Sequence, residues 1–168
     1  VATIDNFLGQ TLTLPEDRLY SPSSHFWFRE VGEGFDVGVS EPGIALTGGL
    51  VELEVLAETG ADVVPGEEVA FATTRKAIKF FLTPLGGTVA AVNGEASAEA
   101  VNDTPYATWL FRMRLPQGSE AGLVEAPAYA AKLAASEHAT AYAAQAAAAA
   151  KAGKASPTCR SIYSGIKE

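Results

Sequence analysis

Residues 72–81 read Ala72-Thr73-Thr74-Arg75-Lys76-Ala77-Ile78-Lys79-Phe80-Phe81. Upstream, Glu67 to Thr74 alternates as a strand does, which sets Val69 and Phe71 on one side. Downstream, Ile78 to Thr83 is a second apolar run. Two short strands around Arg75, Lys76 and Ala77 make a hairpin, and a hairpin tip projects its side chains into water. A lysine there reaches outward on a flexible four-carbon stem. It suits a residue that carries a covalent group or one that touches a partner, and the residues alone leave both open.

Outward from this hairpin the pattern repeats. Phe26-Trp27-Phe28 and Phe35-Asp36-Val37-Gly38-Val39 flank Gly32 and Gly34, and Leu50 to Val55 alternates apolar and acidic. Gly48-Gly49, Thr59-Gly60, Pro65-Gly66 and Gly86-Gly87 punctuate the chain, while Glu41-Pro42-Gly43 opens a short helical turn. Short strands with turn signals every 8–12 residues or so predict a small all-β sandwich or barrel. Residues 1–24 carry little pattern and read as an extended arm, assigned as residues 1–19 ahead of a domain over 20–115. Pro116-Gln117-Gly118-Ser119 opens a linker over 116–126. Alanine dominates from 127 to 152, with Pro127 suited to a first helical turn and Gly153 to the residue past the end. The spacing predicts a helix over 127–153, followed by coil over 154–168.

The formal net charge is −8, from 12 Lys and Arg against 20 Asp and Glu. That balance argues against nucleic acid as a partner. Ten acids and no cation lie between Glu30 and Thr74, read first as a solvated face and second as a docking surface for a basic partner. The single cysteine, Cys159, closes no internal disulfide. No apolar run is long enough for a transmembrane helix. His25 and His138 lie in different elements without a cysteine at ligand spacing, so no metal site is predicted. Glu52 and Glu54 share a strand face and read as a solvated edge. Trp27, Trp109, Phe35 and Phe71 read as core. The chain opens on Val1 rather than Met, which is compatible with removal of a leader.

One ordered set of small motifs carries a family resemblance. It comprises His25-x-Trp27-x-Arg29, Val37-Gly38-Val39, Gly48-Gly49, Val51-Glu52-Leu53, Gly60, Gly66, Lys76-Ala77, Pro84-x-x-Gly87-x-Val89, Val92-Asn93, Val101-Asn102-Asp103-Thr104-Pro105-Tyr106 and Trp109. From about Tyr20 to Leu115 the chain resembles the H protein of the glycine cleavage system. The resemblance implies a lipoyl-domain barrel-sandwich hybrid, two small antiparallel sheets with a hairpin at one end. It places Lys76 on the lysine that bears lipoate, whose arm carries an aminomethyl group between enzymes. The chain departs from the family where Thr73-Thr74-Arg75-Lys76 replaces Glu-Ser-Val-Lys, where Ala107-Thr108-Trp109 is shortened, between Asn93 and Asn102, and in its alanine-rich tail.

Two functional readings follow, neither with an active site of its own. The first is an accessory or linker subunit without a cofactor, docked in a respiratory or photosynthetic complex of the mitochondrial matrix or plastid stroma. It would dock through Arg75, Lys76, Lys79 and an exposed Phe80 or Phe81, together with the arm and the helix. The second is a lipoyl carrier on Lys76, working with the other glycine cleavage proteins.

Overall fold

The computed structural model describes residues 1–136. His138, Cys159, residues 137–153 of the anticipated helix and the coil over 154–168 lie outside the described residues. The fold is mostly β-sheet, as expected. Strands β3 (Leu19–Tyr20), β4 (Phe26–Val31), β5 (Gly34–Val39), β7 (Asp62–Val63), β10 (Gly87–Val92) and β11 (Phe111–Arg114) form an antiparallel sheet in the order β3-β4-β5-β11-β10-β7. Strands β6 (Glu52–Val55), β8 (Glu68–Thr73) and β9 (Ile78–Leu82) form a second sheet in the order β6-β8-β9. Helices α1 (Glu41–Thr47) and α2 (Ala98–Asp103) fill two of the connections. Ser40 caps α1 and Ser97 caps α2, each hydroxyl accepting a backbone N–H of the first turn.

The principal core lies between the two sheets. Phe26, Phe28, Val37, Val39, Val69, Ala70, Ala72, Phe81, Val89 and Phe111 are all buried there. Phe26, Trp27 and Phe28 are consecutive and all buried, which a strand allows only when both of its faces are covered. The far face of β4 is covered by a second cluster holding Trp27, Tyr20, Leu12, Leu14, Tyr129 and Leu133. Gly38 pairs with Trp27 across the β4–β5 ladder, and a Cβ at Gly38 would lie 2.4 Å from the indole. Glycine is therefore the residue that lets the ring lie flat over β5.

The N-terminal segment differs from the extended arm anticipated. Ala2–Phe7 (β1) and Gln10–Leu14 (β2) form an antiparallel hairpin that buries Ile4, Phe7, Leu8, Leu12 and Leu14. Its turn places Asn6 and Leu8 at positive φ, which hides the hairpin from residue-type reasoning. The segment after Leu115 also packs closely. A 3-10 turn, Ser119–Gly122, leads to buried Leu123, and Val124 exchanges two backbone hydrogen bonds with Tyr20. Helix α3, Ala126–Ala134, carries Pro127 in its first turn and buries Ala126, Tyr129 and Leu133 on one stripe against the N-terminal hairpin.

Candidate functional site: the β8–β9 finger and its cleft

Strands β8 and β9 pair from Thr73↔Ile78 to Glu68↔Leu82, and Arg75 and Lys76 stand in the turn between them. The turn is pinned by Thr74. Its backbone N–H donates to Ala77 O at 2.8 Å, and its hydroxyl donates to the same carbonyl at 3.0 Å. That hydroxyl in turn accepts the N–H groups of Lys76 and Ala77 at 3.3 and 3.1 Å. This side-chain turn fixes the Lys76 backbone while leaving its side chain exposed. Thr74 was read only as part of a strand end, although a threonine before a two-residue tip is a signal for such a turn.

The anticipated docking residues separate. Arg75 and Lys76 are exposed at the tip, Lys79 is half-buried, and Phe80 is 46% exposed on the outer face beside Phe71, ring centroids 5.9 Å apart. Phe81 belongs to the core: it is 3% exposed and stacks on Phe26 at 5.7 Å. It is not part of any docking surface, because neighbouring strand residues face opposite ways. Val69 and Phe71 do not share a face either. A register shift between Glu68 and Ala70 buries Val69 and leaves Phe71 partly outside. The outer face thus presents Ile78, Phe80 and Leu82, with exposed Glu52 and Glu54 two strands away.

The acidic run is not uniformly solvated. Asp36 is 2% exposed, accepts a hydrogen bond from Arg112 Nε at 2.6 Å and pairs with Arg29 at 3.6 Å. Glu41 accepts the Thr13 N–H at 2.8 Å. The Asn102-to-Tyr106 motif is structural. Asn102 clamps Leu50 through both its N–H and its C=O, at 3.0 and 2.8 Å. Pro105 O accepts the Trp27 indole N–H at 3.0 Å, and the Tyr106 hydroxyl donates to Thr13 O at 2.7 Å. Burial pushes the Tyr106 hydroxyl well above its ordinary range, so it remains a donor.

Beside the finger lies a cleft of about 460 Å³, lined on one wall by Lys79 to Pro84 and on the other by Ser23, Ser24 and His25. The two walls are more than fifty residues apart in sequence, so no local motif announces the cleft. His25 has φ +62, a left-handed conformation uncommon outside glycine, held by bonds from His25 N–H to Ser21 O and from Ser40 N–H to His25 O. Its Nδ1 lies 2.7 Å from the Tyr129 hydroxyl of α3. Among the described residues no cluster of three or more His, Cys, Asp or Glu is placed to hold a metal, and no helix is long and apolar enough to cross a membrane.

The sequence model described as "Glycine cleavage H-protein" matches residues 18–136. The chain is 39% identical over 121 residues to the glycine cleavage system H protein of Pseudoalteromonas atlantica, covering 69% of this chain and 92% of that one. It is 38% identical over 125 residues to the H protein of Idiomarina loihiensis, covering 71% and 95%. A crystal structure of a glycine cleavage system H protein from Mycobacterium marinum superposes with a TM-score of 0.60 at 24% identity, over 71% of this chain and 98% of that one, which supports the fold. These relatives are bacterial. They overturn the expectation of a mitochondrial or plastid protein, which rested on the altered hairpin tip and the tail rather than on any address signal. The chain belongs to the glycine cleavage H-protein family.

Proposed function

We propose that the protein is the lipoyl carrier of a glycine cleavage system, with lipoate in amide linkage to Lys76 Nζ and an aminomethyl group as its cargo. One observation carries this reading: in an H-protein family member, Lys76 stands exposed at the pinned tip of the β8–β9 finger. Lipoate supplies the dithiol that bonds the aminomethyl group, while the domain supplies position and recognition. The residues present suit that attachment. A tip held by backbone and Thr74 bonds presents the lysine to a modifying enzyme at little cost in order, and removing the side chain disturbs no core contact. The departures from the family at Thr73 to Arg75 change the charge a ligase meets but leave the acceptor amine in place.

The accessory-subunit reading, with no cofactor, loses its ground. The curated relatives are H proteins over 92% or more of their length, and the N-terminal segment and α3 are packed into the body rather than held out to a neighbour. The partners of the carrier are the other glycine cleavage proteins. Intact-mass spectrometry of the chain isolated from its source decides the matter. The expected result is a gain of one lipoyl group, absent from Lys76→Arg, whose stability stays within about 0.5 kcal/mol of wild type. An unmodified native chain overturns the reading.

A further inference from the structure

One set of polar groups at the cleft has a direction that can be worked out. Ser40 Oγ donates to the His25 carbonyl at 2.7 Å, in addition to the Ser40 N–H at 3.0 Å. Ser40 Oγ also lies 3.1 Å from the Tyr129 hydroxyl, which lies 2.7 Å from His25 Nδ1. A carbonyl has no proton to give, so the Ser40 proton points to it. The Tyr129 proton then goes to Ser40 Oγ, and the remaining contact is filled only if His25 Nδ1 carries the hydrogen. Reversing the ring sacrifices the bond to the carbonyl and leaves a 2.7 Å contact between two oxygens with no hydrogen between them. Ser40 and Tyr129 are fully buried, where an unmade bond costs about 1–3 kcal/mol. Burial also raises the Tyr129 hydroxyl far above its ordinary range, so its proton is always present.

The lining of the cleft gives this tautomer a use. No Asp or Glu stands among the lining residues, and Lys79 is the lysine among them. A fixed cation disfavours a second positive charge nearby. We propose that His25 is the hydrogen-bond-accepting base of the cleft, held by Ser40 and Tyr129 in the Nδ1–H form so that Nε2 receives the N–H of an amine carried on Lys76. An amine arriving as ammonium leaves its proton on Nε2 and binds neutral, with no other bond changed. The cargo in this inference rests on the carrier reading; the tautomer does not. Tyr129 and Ser40 are positioning residues, and α3 contributes to the cleft by closing the ring.

The test uses the ¹⁵N-labelled full chain at an alkaline pH where imidazoles are neutral. The chain has two histidines, and His138→Gln identifies the His25 signals. Long-range proton–nitrogen spectra are expected to show the hydrogen of His25 on Nδ1. Population is expected to move toward Nε2–H in Tyr129→Phe, which has no oxygen to accept it, with Ser40→Ala as a second variant should that protein fold poorly. A wild-type Nε2–H tautomer overturns the assignment. Loading the lipoylated protein with an aminomethyl group is then expected to move the Nε2 shift relative to the lipoyl form. Loading confirmed by mass without such movement overturns the cargo role. A chain that accepts no lipoyl group overturns the carrier reading and the cargo role together, while the tautomer is decided on the unloaded protein.

Discussion

Phe80 and Phe81 are identical side chains one residue apart on the strand that carries the functional finger, and their truncation separates surface from core. Phe81 is 3% exposed and stacked on Phe26 at 5.7 Å, in the contact that ties the finger to the opposite sheet. Phe81→Ala removes a whole buried ring and leaves a cavity between the sheets, a loss of about 3–5 kcal/mol. Phe80 is 46% exposed. Full burial of a Phe is worth about 1.5–3 kcal/mol, and roughly half is realised here, so Phe80→Ala costs about 1 kcal/mol. With a urea m-value of about 1–3 kcal/mol/M, Phe81→Ala lowers the unfolding midpoint by well over twice as much as Phe80→Ala. Equilibrium urea unfolding followed by tryptophan fluorescence measures both midpoints, and unchanged slopes confirm that stability alone has moved. Equal losses, or a larger loss for Phe80, would refute the assignment of faces and with it the geometry of the finger.

Gly38→Ala drives a Cβ into the Trp27 ring at 2.4 Å and threatens its 3.0 Å bond to Pro105 O, so a loss of about 2–4 kcal/mol is expected by the same urea measurement. Asp36→Ala strips the carboxylate from Arg112 and Arg29. Both guanidinium side chains are 39% exposed and recover some hydration, which keeps the expected loss to about 1.5–3 kcal/mol, read as a fall in melting temperature. The hydrogen bond from Arg18 to Asp17 holds that carboxyl below its ordinary value of 3.8. A depressed folded-state pKa gives stability that is complete above the unfolded value and lost as pH falls through the folded one. The stability difference between wild type and Asp17→Asn should therefore be constant at neutral pH and shrink only below about pH 4. It should also be small, because the Asp17 side chain is 60% exposed.

The sheet region was legible because its signals are local: alternation in Leu50 to Val55 and turn glycines at Gly60 and Gly66. The finger was legible for the same reason. Alternation shows that Phe80 and Phe81 oppose each other, yet it cannot say which one meets Phe26, since that depends on a sheet assembled from distant residues. The N-terminal hairpin was missed because Phe7 and Leu8 are both buried, breaking the period of two, and because the turn uses Leu8 at positive φ instead of an Asn-Gly pair. Helix α3 was recognised by alanine content, but its binding stripe of Ala126, Tyr129 and Leu133 was overlooked for want of large apolar groups. The cleft and the His25–Tyr129 contact join segments 104 residues apart in the second case, beyond the reach of any spacing rule.

Strand β4 decides where these parts meet. Phe26 faces the principal core and stacks on Phe81, while Trp27 faces the second cluster under the Arg18 guanidinium, 4.7 Å from the ring. His25, immediately before them, is the cleft residue bound to Tyr129. A slip of one residue would exchange the two faces, bringing the indole against Phe81 and the Phe26 ring against Arg18. It would also withdraw His25 from Ser40 and Tyr129. Gly38 opposes such a slip, since no other residue of β5 (Phe35, Asp36, Val37 and Val39, with Gly34 at the far end) leaves comparable room for the indole near that point of the ladder. The Trp27–Pro105 bond opposes it as well, since only an indole N–H at that position reaches the carbonyl. The histidine at the cleft and the phenylalanine under the finger are therefore set by the same register, and the N-terminal hairpin and α3, which cover Trp27, help hold it.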